Sequence, residues 1–171
     1  MTSGKSTLGK ILANVLGWDF VDLDKAIVER ERMSVHDIFE TKGEKYFREL
    51  EQKVLREAAE KERVVISLGG GTLNSDETAK FLNETGVTVY LKVEPENLYN
   101  RLKNKIDRPL FRDLVLSDDS TKEEFLERIN ELLSKREKYY KQARITISSD
   151  TQRIGITVDL LAAKLRRLID E

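Results

Sequence analysis

Apolar positions along the chain follow two periods. From Ser6 to Leu16, the residues Leu8, Ile11, Leu12, Val15 and Leu16 recur at helical spacing, and Gly17 stands where such a helix would stop. Phe20-Val21 starts a short strand that runs into Asp22-Leu23-Asp24. Helical patterns follow over Lys25 to Glu31, Val35 to Thr41 and Lys45 to Lys61. Val64-Val65-Ile66-Ser67-Leu68 is a mostly apolar run closed by Gly69-Gly70-Gly71, the pattern of a buried strand. Val87 to Val93 predicts another strand, and Pro95 to Lys103 a helix with proline in its first turn. Ile106 to Ser120 reads as irregular and polar. Thr121 to Tyr140 predicts a long helix, Arg144 to Ile147 a last strand, and Thr157 to Ile169 a closing helix. Strands alternating with helices imply an α/β fold with a parallel sheet, whose ligands bind at the carboxyl ends of the strands.

Composition narrows the chemistry. The 171 residues suit one domain. Thirty basic and 31 acidic side chains leave a net charge of -1, which gives no reason to expect a nucleic acid or an anionic membrane as partner. With no cysteine, a disulfide scaffold and a thiolate zinc site are excluded. His36 is the single histidine, which argues against a multi-histidine metal site and a Ser-His-Asp enzyme, and it reads as a surface residue. No apolar run reaches the length of a membrane span and no signal peptide opens the chain, so the expected location is cytoplasmic.

Gly4-Lys5-Ser6-Thr7 opens the first helix and matches the end of the phosphate-loop motif G-x-x-x-x-G-K-[ST]. Glycine lets backbone N–H groups approach a phosphate, and the helix N-terminus adds its unpaired donors. Lys5 can reach the β- and γ-phosphates of a nucleotide, and the Ser6 hydroxyl can bind Mg²⁺. The motif's first glycine would fall two residues before Met1, and the strand that should precede the loop is missing with it. The plain alternative is a helix start with Ser3 as N-cap.

Acidic and basic residues then stand where burial makes them informative. Asp22 and Asp24 are expected to close a strand on one side of its backbone. There one could hold Mg²⁺ through water and the other accept a proton from a hydroxyl, unless they only cap the next helix. Glu51 falls within the apolar stripe of Phe47, Leu50, Val54 and Ala58, with Arg48 at its edge three residues earlier. This is either a structural ion pair or a carboxylate that aims Arg48 at an anionic ligand. Arg136 returns to the apolar side of the long helix, eleven residues after Phe125, with Tyr140 a turn further on. It either snorkels past the core edge or meets an anion.

Order and spacing of these segments resemble the shikimate kinases over essentially the whole chain. The resemblance is carried by Gly4 to Thr7, Leu16 to Asp24, Ser34 to Phe39, Gly43-Glu44 with Phe47-Arg48 and Glu51, Ser67 to Gly71, Arg108-Pro109-Leu110, and Arg136 with Tyr140. It implies a nucleoside-monophosphate-kinase-like, phosphate-loop kinase fold: a five-stranded parallel sheet flanked by helices, with a lid at about residues 104–120. It implies transfer of the ATP γ-phosphate to the 3-hydroxyl of shikimate. Gly4, Lys5, Ser6, Thr7, Arg101, Arg108 and Arg153 would then contact ATP. Ser6 and, through water, Asp22 would hold Mg²⁺. Asp24 would be the base, helped by Lys5 and by Arg108 from the lid. Asp24, Phe39, Phe47, Arg48, Glu51, Gly69, Gly70, Gly71 and Arg136 would hold shikimate. A single domain at residues 1–171, acting as a monomer and short of its first strand, completes the expectation.

Two positions depart from the family pattern. Arg32 stands where a glycine usually ends a helix, and Ile154-Gly155-Ile156 replace a proline near the adenine. Another small-molecule phosphate-loop kinase, of gluconate type, and a non-catalytic ligand-binding remnant are the alternatives.

Overall fold

A computed structural model describes residues 3–105, 109–117, 119–149 and 153–169. Helix α1 (Lys5–Leu16) ends at Gly17, whose left-handed backbone lets its N–H turn back to the α1 carbonyls. β1 (Asp19–Asp22) leads directly into α2 (Leu23–Glu31). The two helical stretches expected between Val35 and Lys61 run together as α3 (Val35–Ala59) and are separated, as expected, at Gly43, whose backbone leaves helical geometry at φ 81°, ψ 166°. β2 (Val64–Ser67) follows.

The next element, α4 (Asp76–Thr85), has no counterpart in the sequence expectation. Its apolar residues are only Ala79, Phe81 and Leu82, too few to establish a helical period. The Ser75 side chain, which accepts from the Thr78 N–H, was the signal available. β3 (Val89–Lys92) and α5 (Pro95–Leu102) match their patterns. The segment expected to be irregular contains a 3-10 turn (Pro109–Phe111) and helix α6 (Arg112–Leu116). Phe111 explains the order, since it is buried among Leu98, Leu102, Phe125 and Ile129. α7 (Lys122–Tyr140) starts with a Thr121/Glu124 capping box. β4 (Ile145–Ser148) and α8 (Ile154–Ile169) close the chain, α8 beginning three residues earlier than its apolar pattern.

All strand pairing is parallel, as the alternation requires. β1 pairs with β2 from Asp19–Val64 to Asp22–Ser67, and β3 with β4 from Val89–Ile145 to Lys92–Ser148. Among the described residues these are two two-stranded units rather than one five-stranded sheet. The inner strands β2 and β3 face a common cavity of about 810 Å³, walled further by Leu8, Leu12, Leu161 and Leu165.

Among the described residues, three apolar cores hold the layers. Leu8, Leu12, Leu91, Ile145, Val158 and Leu161 join α1 and α8 to the β3–β4 pair. Leu23, Ile27, Ile38 and Leu55, all without exposed surface, clamp α2 to α3. A third core seats α5 and the 3-10 turn on α7. Each fully buried aliphatic side chain contributes about 1.5–3 kcal/mol, so α2 and α3 form a firm platform for the side chains they present.

Candidate active site

The start of α1 is built differently from most other helix starts in this molecule. Asp22, Ser34, Ser75 and Thr121 cap α2, α3, α4 and α7 with their side chains. The N-cap of α1 is Gly4, in the left-handed region at φ 89°, with no side-chain cap. Ser3 is therefore not the cap, and the plain helix-start reading fails at that residue. No capping side chain competes for the donors of the first turn, which leaves them suited to an anion. Lys5 donates to Ser3 Oγ at 3.4 Å, and the Ser6 hydroxyl lies 3.4 Å from the Ser67 hydroxyl at the carboxyl end of β2. Thr7 is exposed on the same turn. The loop start thus sits at the strand end where parallel sheets bind ligands.

Asp22 and Asp24 correct the expected register. Asp22 ends β1, but its Oδ1 accepts from the Lys25 N–H at 3.2 Å and caps α2. Asp24 lies in the first turn of α2, not on the strand. The strand stops one residue before Leu23 because the Asp22 cap starts the helix there. Helical geometry nonetheless turns the half-buried Asp24 toward Gly69: a Cβ added at Gly69 would lie 2.6 Å from Asp24 Oδ1.

The same Cβ would lie 3.0 Å from both Glu51 Oε1 and Thr72 Oγ1, and one at Gly71 would lie 2.7 Å from Arg48 Nη2. Arg136 Nη1 donates to the Gly70 carbonyl. Gly69 and Gly71 thus leave no room for side chains, and four predicted charged residues converge on the glycine turn: Asp24, Arg48, Glu51 and Arg136. Glu51 is 1% exposed. It accepts from Arg48 Nη1 at 2.9 Å and from Thr72 Oγ1 at 2.7 Å, which satisfies both carboxylate oxygens. Phe39 and Phe47 pack at 4.7 Å between centroids, with the Arg48 guanidinium 5.9 and 5.3 Å from their rings. The bland reading of Arg136, a side chain reaching past the core edge, does not account for its bond to the glycine turn.

Other expected residues are less closely gathered. Arg108 lies outside the described residues, as do Asp150 and Thr151. Arg101 is half-buried in the last turn of α5, and Arg153 is exposed just before α8. Arg128, which the sequence reading passed over, donates to the Leu110 carbonyl and to Asp113, fixing α6 onto α7. That guanidinium holds the Asp113 carboxyl below the usual carboxylate range. Thr72 was also missed, because a threonine after a glycine turn carries no charge to flag it.

The family model for shikimate kinase matches residues 1–166. The chain belongs to the shikimate kinase family. It is 44% identical to a shikimate kinase of Chloroherpeton thalassium over 168 residues, 98% of this chain and 89% of that one. A shikimate kinase of Chlorobium phaeovibrioides is 45% identical, covering 98% and 84%. The crystal structure of shikimate kinase from Bacteroides thetaiotaomicron superposes with a TM-score of 0.82 at 36% identity, covering 100% of this chain and 94% of that one. Shikimate kinase from Acinetobacter baumannii, in complex with shikimate, gives 0.79 at 30% identity, covering 98% and 87%. The chain is accordingly an ATP-dependent kinase with the α/β phosphate-loop architecture that its resemblance implied. Arg32 shows how one departure is absorbed: it takes the left-handed conformation itself, at φ 54°, and caps α2.

Proposed function

We propose that this chain transfers the γ-phosphoryl group of ATP to the 3-hydroxyl of shikimate. The observation that carries the reading is the convergence of Asp24, Arg48 and Arg136 on the Gly69–Gly71 turn. The Arg48 guanidinium beside the rings of Phe39 and Phe47, with Arg136 on the same glycine turn, suits a small cyclic carboxylate, since guanidinium–carboxylate pairing supplies both charge and direction. Asp24, at the same turn, would take the proton of the attacking hydroxyl. Glu51 is buried and bonded on both oxygens, so its part is to aim Arg48.

On the nucleotide side, the first-turn N–H groups of α1, Lys5 and Thr7 would neutralise the phosphates, and Arg108, Arg101 and Arg153 would add contacts. Ser6 and Asp22 are hard oxygen donors that fit Mg²⁺. When bound, Mg²⁺ would neutralise charge on the β- and γ-phosphates. We further propose a monomer acting in the cytoplasm; none of its described helices is long and apolar enough to cross a membrane.

A coupled ADP-release assay with shikimate, gluconate and other hydroxy acids tests the acceptor. Turnover with shikimate alone is expected. Turnover with gluconate and none with shikimate would overturn the reading in favour of another small-molecule kinase. ATP binding with no turnover on any acceptor would point to a ligand-binding remnant.

A further inference from the structure

Thr72 is the fully buried polar side chain that ties the glycine turn to the arginine beside it. Its side chain has no exposed surface. Its Oγ1 donates to Glu51 Oε1 at 2.7 Å, while Glu51 Oε2 accepts from Arg48 Nη1 at 2.9 Å. Its own N–H closes on the Gly69 carbonyl at 3.4 Å. One residue thus fixes the turn through its backbone and the Glu51–Arg48 pair through its side chain. A carboxylate that is 1% exposed cannot turn to water for a lost partner. Without the hydroxyl, Glu51 would have to rotate or draw other donors, and Arg48 would move with it.

We infer that Thr72 is a positioning residue that sets the affinity of Arg48 for the acceptor's carboxylate. This rests on the shikimate reading above. Valine keeps the shape of threonine and removes the hydroxyl; serine keeps the hydroxyl and removes the methyl.

Steady-state kinetics of Thr72→Val and Thr72→Ser test it. For Thr72→Val, KM for shikimate is expected to rise about tenfold, the scale of one hydrogen bond to a buried charge. KM for ATP and kcat should stay within about twofold, and Thr72→Ser should restore most of the loss. Equal losses for shikimate and ATP, or a serine variant as poor as valine, would overturn the inference, because a merely structural role predicts those. Arginine side-chain ¹⁵N NMR without ligand separates this from failure of the shikimate reading. The Arg48 guanidinium signal, assigned with Arg48→Lys, should be sharp in the parent and in Thr72→Ser and broadened in Thr72→Val. An unchanged signal in Thr72→Val would overturn the inference whatever the acceptor proves to be. If Thr72→Val does not fold, Thr72→Ala is read by the same criteria.

Discussion

Asp24 and Arg136 carry different burdens at the residue scale, and substitution should separate them. Asp24→Asn preserves shape and removes the proton acceptor, so kcat should fall by about 10²–10⁴ while calorimetry shows ATP binding unchanged. Near-normal turnover would remove Asp24 as the base. Arg136→Ala deletes a charge that bonds the Gly70 carbonyl and faces the proposed carboxylate site. Affinity for shikimate should fall roughly 30- to 100-fold, the range for hydrogen bonds between charged groups, with ATP affinity within about threefold. Equal losses for both ligands would contradict a carboxylate role. Arg48, Glu51 and Arg136 were legible in the sequence because a charge on an apolar helical face demands a partner. The spacing of Asp22 and Asp24 was misread, since a strand end and a helix cap are both written with aspartate, and only the Lys25 bond decides between them. Thr72 was illegible, since its importance comes from tertiary contacts alone.

At the scale of elements, the join between α2 and α3 sets the stage for the substrate side. Arg32 ends α2 in a left-handed conformation that costs an L-residue about 1–2 kcal/mol. Replacing it with glycine removes the clash but adds backbone entropy to the unfolded chain. Arg32→Gly should therefore stabilise the protein by a net ~0.5–1 kcal/mol, read as a higher urea midpoint at unchanged slope. A second tie across the join is Glu31, which accepts from Lys42 and, at 2.9 Å, from Tyr46. These donors hold the Glu31 carboxyl below its ordinary value. A depressed folded pKa gives stability that is fully present above the unfolded value and lost as pH falls through the folded one. Glu31→Gln should accordingly flatten the acid limb of the stability–pH curve and leave the slope near neutrality unchanged; an identical acid limb would rule the tie out. The regular elements were legible where their apolar period ran for several turns, as in α1, α7 and α8. α4 and α6 were not, because short helices owe their order to caps and to neighbours such as Phe111 rather than to their own pattern.

For the whole molecule, the open question is what occupies the space between the two strand pairs. The sequence read correctly as parallel α/β, because the strand–helix alternation leaves few other topologies. It could not reveal that β2 and β3 border a cavity of about 810 Å³. The cavity opens to solvent and its wall is mixed: Leu8, Leu12, Val65, Leu91 and Leu161 offer an apolar guest a surface, while Lys5, Glu62 and Gln142 keep part of the wall polar. A fluorescent apolar probe such as anilinonaphthalene sulfonate should bind saturably, brighten, and raise the melting temperature by mass action. Hydrogen exchange locates it: slowing should concentrate in residues 64–68 and 88–93, the segments that wall the cavity. Two-stranded units are marginal on their own, so these amides should exchange faster than those of α1 before the probe is added. Saturable brightening with no added protection in either strand would place the probe elsewhere and remove this cavity as its site.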